Sequence, residues 1–330
     1  MKKDFYIFNN GELKRKDNTL FFESSDEKKY LPVNEINNIW VFGEVDINKR
    51  FLEFASEKEI VLHYFNYYGY YIGSFYPREH LNSGYVILKQ AEYYLNTEKR
   101  MTIAKKFIEG AVLNILVILR YYRNRGIDLN EDIDVISNLY KAINNATDIE
   151  ILMAIEGNIR ERYYKCFDKI INKPDFEFDK RSKRPPLNKL NALISFGNSL
   201  IYTTVLGEIY QTQLDPRIGY LHSTNNRRFT LNLDIAEIFK PVIVDRVIFS
   251  LLNKNVITSK DFQRQLNGII LNDNGKKKFI SEYNDKLNTK INHPKLDNKV
   301  SYKRLIRLEL YKLQKHITND DEYSPFIAGW

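Results

Sequence analysis

Cysteine occurs once in 330 residues, at Cys166, which excludes an intramolecular disulfide and any zinc site built on thiolates. There is no Walker-type Gly-rich loop, no Rossmann fingerprint and no zinc-finger spacing, so those nucleotide and metal cradles have no support. Neither Cys166 nor any serine stands beside a histidine in a recognisable nucleophile arrangement. Long hydrophobic runs are also missing. The most apolar stretch, Ala111-Val-Leu-Asn-Ile-Leu-Val-Ile-Leu119, is far too short for a membrane span and contains Asn114, so it reads as a helix buried in a bundle. The opening Met-Lys-Lys-Asp-Phe-Tyr lacks the apolar core of a signal peptide, and a soluble cytoplasmic protein is the expectation. Internal repeats and low-complexity tracts are absent.

What is present is a globular composition, 43% hydrophobic and 14% aromatic, in a chain long enough for one large or two ordinary domains. The net charge of +8 is uneven. Residues 1–80 carry 11 Lys and Arg against 13 Asp and Glu; the remainder carries 39 against 29. An acidic front and a basic back suggest that an anionic partner binds the second part. The competing reading is that Lys, Asn and Ile are abundant throughout, as in proteins from AT-rich genomes.

Short β-branched and aromatic runs at Tyr6–Phe8, Thr19–Phe22, Tyr30–Val33, Ile39–Phe42 and Ile60–Phe65 predict strands, punctuated by Gly, Asn, Asp and Ser. A helix is expected over 48–58, and the tyrosines of 64–76 fit two strands around a turn at Gly69. From about residue 85 the period becomes helical, with helices expected near 85–96, 99–123, 131–145, 148–173, 188–213, 233–252, 276–289 and 301–317. The expected fold is α+β: a small β-rich domain over 1–80 followed by a larger all-helical domain over 81–330.

Chemistry-bearing residues fall in the second part. Thr147 and Glu150 have capping-box spacing, so a helix begins near Asp148. Its apolar stripe runs Ile149, Leu152, Glu156, Ile159, Tyr163, Phe167 and Ile170, with Glu156 directly on it. A carboxylate turned toward a core is costly unless it is paired, protonated or bound to a cation. It either meets an arginine or lysine from another helix or binds a cation. His222 lies in a loop, Gly219-Tyr-Leu-His-Ser-Thr, where a lone histidine says little by itself. Asp234 and Glu237 are three apart, which on a helix points both to one side within reach of a shared cation; the same spacing also serves as an N-terminal cap. Pro241 marks a kink or a boundary. From Lys180 to Lys189 there are five cations and no acid beside a Pro-Pro pair, a stiffened loop suited to phosphates or merely a solvated charged one. Lys303-Arg-Leu-Ile-Arg-Leu-Glu-Leu-Tyr-Lys is a weaker signal of the same kind. Carboxylates with one imidazole suit Mg²⁺ or Mn²⁺.

In order, five stretches resemble the CRISPR-associated spacer-acquisition integrase family (Cas protein one). They are Leu62-His-Tyr-Phe-Asn with Gly69 and Gly73; Ala154-Ile-Glu-Gly-Asn-Ile-Arg-Glu-Arg-Tyr-Tyr; Arg181-Ser-Lys-Arg-Pro-Pro with Asn191-Ala-Leu-Ile-Ser-Phe-Gly-Asn-Ser-Leu-Ile-Tyr202; Gly219-Tyr-Leu-His222; and the run from Arg228 to Arg246. The likeness spans almost the whole chain and is closest to members of subtype I-B systems. It implies a divalent metal, Mg²⁺ or Mn²⁺, on Glu156, His222 and Glu237. Asp234 would be a supporting acid and Tyr202 would lie near the scissile DNA; the charge of the basic loop, rather than the resemblance, makes Lys180, Arg181, Lys183 and Arg184 the expected DNA contacts. Two departures are visible: Glu237 stands where many members have aspartate, and Asn225-Asn226-Arg227 where a glycine-containing turn is common.

The resemblance further implies an integrase that joins the 3′-hydroxyl ends of captured DNA to a repeat boundary. The β domains would pair protomers as a homodimer, and two dimers would flank a dimer of the small partner Cas protein two in a heterohexamer. The alternatives are a metal-dependent nuclease for branched DNA and a non-catalytic DNA-binding scaffold.

Overall fold

Two sheets organise the first of two units, Met1–Asn82 and Ser83–Trp330, into which the computed structural model divides. The structure describes residues 3–25, 28–78, 81, 83–224, 229–265, 267–293 and 296–329. In the first unit, β1 (Lys3–Ile7), β5 (Ile36–Val41), β7 (Val61–Phe65) and β8 (Tyr71–Phe75) form one four-stranded sheet in that order. Its first two pairings are parallel and the last antiparallel. The other sheet has the order β4 (Lys28–Leu31), β3 (Thr19–Glu23), β2 (Gly11–Lys16), β6 (Val45–Ile47). Strand alternation sends Leu13, Leu20, Phe22, Ile39, Val41 and Leu62 into a common core. The helix α1 (Lys49–Glu57) adds Phe51, Phe54 and Ala55 at helical spacing, and Asn48 caps it by accepting from the Phe51 amide at 3.0 Å. On the opposite face of the first sheet, Trp40 and Phe42 both stack on Phe65, with centroids at 5.5 and 4.5 Å.

The second unit is built from α2 (Gly84–Leu95), α3 (Thr97–Arg123), α4 (Asn130–Ala142), α5 (Ile149–Ile171), α6 (Lys189–Tyr210), α7 (Leu231–Phe239), α8 (Arg246–Asn253), α9 (Asp273–Asn288) and α10 (Tyr302–Ile317). The outer bounds of the eight expected helices lie within a few residues of the periodic reading, but the single helix expected over 233–252 is divided into α7 and α8. Asp148 rather than Thr147 caps α5, accepting from the Ile151 amide at 2.8 Å. Pro241 does not end the helical run: it opens a π-turn, Pro241–Asp245, that joins α7 to α8. Two hairpins interrupt the helices, β9 (Phe262–Gln265) with β10 (Gly268–Leu271), and β11 (Lys290–His293) with β12 (Leu296–Ser301). The α+β class holds, although the second unit is helical with two small hairpins rather than all-helical.

At the centre runs α6, apolar on nearly every face. Among the described residues it is the one helix long and apolar enough to cross a membrane, but 83% of that stretch is buried inside the protein. It is a core helix. Neighbours approach closely where its side chains vanish: a β-carbon at Gly197 would lie 2.5 Å from Val244 Cγ1. Asn114, buried in α3, donates to the Ile238 and Phe326 carbonyls and accepts from the Ala328 amide, so the helix is tied both to α7 and to the C-terminal segment. These ties hold α3, α6 and α7 in fixed relation, and α7 carries two of the candidate acids.

Candidate active site

Glu156 and Arg160 sit one turn apart on α5, and the Arg160 Nε donates to Glu156 Oε1 at 3.0 Å. The same guanidinium reaches across to α7, where its Nη2 donates to Glu237 Oε2 at 2.5 Å. Glu237 is held from the other side by Lys240, whose Nζ lies 2.5 Å from Oε1. Side-chain exposures are 16% for Glu156, 10% for Arg160 and 7% for both Glu237 and Lys240, so this is a buried ion-pair lattice. Burial opposes charge on Glu237, but Lys240 and then Arg160 outweigh it and hold the carboxyl well below the usual range. Burial likewise works against charge on Lys240, and Glu237 more than restores it. Glu156 thus meets an arginine, though from its own helix rather than another.

Asp234 does not cap α7 either; the cap position is Thr230. Its fully buried carboxylate instead gathers the loop before the helix. Oδ2 accepts from the Tyr220 and Leu221 amides at 2.6 and 3.0 Å, and Oδ1 from the His222 amide at 2.9 Å. Oδ1 also lies 2.8 Å from His222 Nδ1. Burial disfavours a charged His222, but the Asp234 hydrogen bond and charge, with Glu237 adding to them, raise its pKa above the ordinary value. Fixing Nδ1 leaves Nε2 as the ring nitrogen open to another partner. The variant turn, Asn225-Asn226-Arg227, lies outside the described residues.

Tyr202, on α6, enters through Lys240, whose Nζ lies 4.7 Å from the ring centroid. Asn232 on α7 donates to the Tyr202 carbonyl at 3.2 Å. The four basic-loop residues diverge in orientation. Arg181 turns inward, donating to Asn191 Oδ1 at 2.9 Å and Ser195 Oγ at 3.1 Å, which makes it a brace for the loop on α6. Lys180, Lys183 and Arg184 are exposed. Partial desolvation, then the charges of Arg181 and Lys240, draw the Lys183 pKa down, while Glu237 and Glu156 pull against them, so Lys183 shares the field of the carboxylates. The loop is anchored by the hairpin: the Ile269 amide donates to the Pro186 carbonyl at 2.8 Å. A β-carbon at Gly268 would meet Pro185 Cβ at 2.4 Å.

Among the described residues, no three His, Cys, Asp or Glu side chains form a metal-ligating group. In kind, the donors fit a hard divalent cation: two carboxylates and an imidazole whose far nitrogen is backed by a carboxylate. In place, the carboxylates are engaged with Arg160 and Lys240. These two cations were missed at the sequence level, although Glu156 to Arg160 and Glu237 to Lys240 carry helical i,i+4 and i,i+3 spacing.

Buried acids and an imidazole in a helical unit that also carries a basic loop are donors and charges of the kind that phosphoryl transfer uses. The family model described as CRISPR associated protein Cas1 matches residues 5–285. The chain is 59% identical over 330 residues to the CRISPR-associated endonuclease Cas1 2 of Thermodesulfovibrio yellowstonii, with all of both chains covered. It is 49% identical over 318 residues to the CRISPR-associated endonuclease Cas1 of Thermotoga maritima, covering 96% of this chain and 98% of the relative. A solved structure of a Cas1 protein from Thermotoga maritima superposes with a TM-score of 0.89 at 48% identity, covering 98% and 99% of the two chains. A casposase bound to integration product shares the fold, with a TM-score of 0.89 at 22% identity over 99% and 93% of the chains. The chain belongs to the CRISPR-associated Cas1 family, and it is an enzyme of that family, whose relatives above are named endonucleases. Metal dependence is general in the family.

Proposed function

We propose that this chain joins the 3′-hydroxyl ends of captured DNA to a repeat boundary by transesterification, with Mg²⁺ or Mn²⁺ held by Glu156, His222 and Glu237. The observation that supports this reading is the Asp234 clamp on His222 Nδ1, which leaves Nε2 open to a partner in the field of Glu237, itself linked to Glu156 through Arg160. When bound, a divalent cation would polarise the scissile phosphate and stabilise charge developing on its oxygens. Asp234 fixes the imidazole ring and its tautomer. Arg160 links Glu156 to Glu237 across the two helices, and Lys240 places a second cation between Glu237 and Tyr202. Lys180, Lys183 and Arg184 supply sequence-independent attraction for the backbone, with Arg181 bracing their loop. In the reaction, the captured DNA's 3′-oxygen loses its proton and bonds to the phosphorus at the repeat's 5′ end, the bond from that phosphorus to the flanking strand's 3′-oxygen breaks, and the flanking strand takes up a proton and leaves with a free 3′-hydroxyl.

DNA is the expected partner, together with the small Cas2 protein, in the cytoplasm where chromosomal DNA lies. Chains of two solved Cas6-RT-Cas1–Cas2 complexes, one partial, contain this fold, with TM-scores of 0.85 and 0.67 at 16% and 15% identity, this chain covering 36% and 100% of them. The 1–80 segment is the proposed homodimer surface and 81–330 the catalytic part; a heterohexamer with Cas2 is the proposed assembly.

A labelled branched duplex with Mn²⁺ separates the readings. Strand joining that disappears in Glu156→Ala and His222→Ala supports the integrase and its site. Cleavage without a new junction supports the branched-DNA nuclease. Full joining by correctly folded Glu156→Ala rejects the ligand assignment. The scaffold reading draws on the internal ion pairs, and it requires that both variants leave spacer acquisition in cells unchanged.

A further inference from the structure

We propose that the C-terminal end of α3 and the start of α8 form a second phosphate site, outside the carboxylate cluster, that takes a backbone phosphate of the bound DNA. It rests on the DNA-joining reading above. The end of α3 borders a cavity of about 470 Å³ lined by Val117, Arg120, Tyr121, Asn124 and Arg125. The Arg125 guanidinium lies 4.4 Å from the Tyr121 ring centroid, and Arg246, from α8, lies 4.3 Å from the same centroid. Arg246 also lies 5.6 Å from the Tyr122 ring. The Tyr121 ring therefore carries the guanidinium of Arg125, just past the end of α3, and that of Arg246 from α8, next to the opening that Arg120 and Arg125 line.

Among the described residues, no carboxylate forms an ion pair with Arg120, Arg125 or Arg246. Arg246 Nη1 is buried and has no hydrogen-bond partner. The positive field extends to Lys286, whose pKa is drawn down to about 8 by burial and then by Arg246. Glu282 opposes this, but its Oε1 accepts the Ser250 hydroxyl at 2.6 Å. A helix C-terminus attracts cations, which accounts for Arg120 in the last turn of α3. That attraction does not account for Arg246, which another helix contributes, or for Arg125 beyond the helix end. Gathering three guanidinia without an acid is unfavourable in the free protein and favourable once a phosphate oxygen arrives.

The pocket also has a definite relation to the carboxylates. Arg246 follows Glu237 by nine steps of helical backbone through the π-turn, an axial rise of about 13 Å at ~1.5 Å per residue. One DNA molecule could engage both. The opening offers charge and a hydrogen-bonding Asn124 but no free aromatic face already spared from guanidinium contact, which favours a phosphate over a stacked base.

The test measures binding of a fluorescein-labelled duplex by anisotropy between about 50 and 200 mM salt, for the wild type and for Arg120→Gln/Arg125→Gln. Both side chains are exposed, so the fold should survive, and thermal unfolding checks this. The slope of log K against log salt should fall by about 1–2 and affinity by roughly tenfold. Lys141→Gln/Lys165→Gln removes the same charge from another exposed surface and should leave the slope as in the wild type. An unchanged slope in the arginine variant, with wild-type strand joining intact, overturns the pocket and spares the integrase reading. A wild type that neither binds nor joins DNA overturns both. If inorganic phosphate or a mononucleotide saturates the pocket at micromolar concentration while the DNA slope is unaffected, the site serves small anions and the proposal fails.

Discussion

Replacing Arg160 with methionine tests whether the acids of α5 and α7 form one electrostatic unit. The substitution keeps an apolar stem of similar reach and deletes the charge shared by Glu156 at 3.0 Å and Glu237 at 2.5 Å. Removing one partner of a buried ion pair costs about 3–5 kcal/mol, because the remaining charge stays desolvated. Two features put this case at the lower end. Lys240 still neutralises Glu237 through Oε1, and the Glu156 side chain retains 16% exposure. The expected loss is therefore about 3 kcal/mol, or about 6–12 °C in melting temperature for a unit of this size. Far-UV circular dichroism during urea unfolding follows it, since the signal comes chiefly from the helices of the second unit. Adding Glu156→Gln to Arg160→Met should recover part of the loss by removing the charge that Arg160 alone had paired.

Mn²⁺ supplies the second arm. With Arg160 gone, Glu156 loses its counter-ion and Glu237 keeps only Lys240, so both become more available to a divalent cation. Binding to the folded state alone stabilises by about 2.7 kcal/mol at a hundredfold excess over Kd. Mn²⁺ should thus restore much of the lost stability in Arg160→Met and add less to the wild type, with EDTA reversing both. A loss below about 1 kcal/mol would refute the buried-lattice argument. Equal Mn²⁺ stabilisation of wild type and variant would show that Arg160 and the metal do not compete for the same carboxylates.

Burial, aided by Asp132, pushes the Cys166 thiol up to about 12. It should therefore resist a disulfide-exchange reagent at neutral pH in the native protein and react fully only on unfolding; rapid native reaction would show an exposed thiolate. Burial and then Arg246 lower Lys286 to about 8, below its unfolded value of about 10.4. The folded state then binds this proton less tightly, so stability should rise from about pH 8 to about pH 10.4 as the unfolded chain deprotonates. Lys286→Met should raise stability at pH 7 by about 1–2 kcal/mol, after discounting the ~3 kcal/mol linkage for the ammonium's contact with the Tyr302 ring, and should flatten that alkaline rise; denaturant titrations across the range measure both. Gly268→Ala forces a β-carbon onto Pro185 and should cost about 1–3 kcal/mol while loosening the basic loop, read as faster tryptic cleavage at Lys180–Arg184. An unchanged cleavage rate would separate the hairpin from the loop.

The helices of the second unit were legible because their stripes are long and their caps conventional: α5 begins at Asp148 and buries Leu152, Ile159, Tyr163 and Phe167. The strand β2 was not legible. Gly-Glu-Leu-Lys-Arg-Lys offers one buried apolar side chain, Leu13, and its order comes from pairing with β3 and β6. The hairpins at 262–271 and 290–301 escaped for a similar reason, since four-residue strands establish little period and depend on neighbours distant in sequence. Pro241 was ambiguous because a missing amide can be absorbed by a π-turn as well as by a break.

At the site, residue identities were readable and their partners were not. Glu156 on an apolar stripe demanded a counter-charge, and local spacing already offered Arg160. That Arg160 also reaches Glu237, 77 residues away, follows only once α5 and α7 are packed. Asp234 shows the same limit: its spacing to Glu237 suggests a shared cation, yet burial turns it toward three amides and an imidazole that a loop delivers. One physical rule produces both outcomes. A buried carboxylate must be matched by donors or cations, and the folded chain supplies those within reach. For Asp234 these are donors that orient His222; for Glu156 and Glu237 they are cations that keep the acids together without a metal. The absence of a metal-ligating trio among the described residues is therefore a matter of charge pairing, and the experiment that separates pairing from ligation is the removal of Arg160.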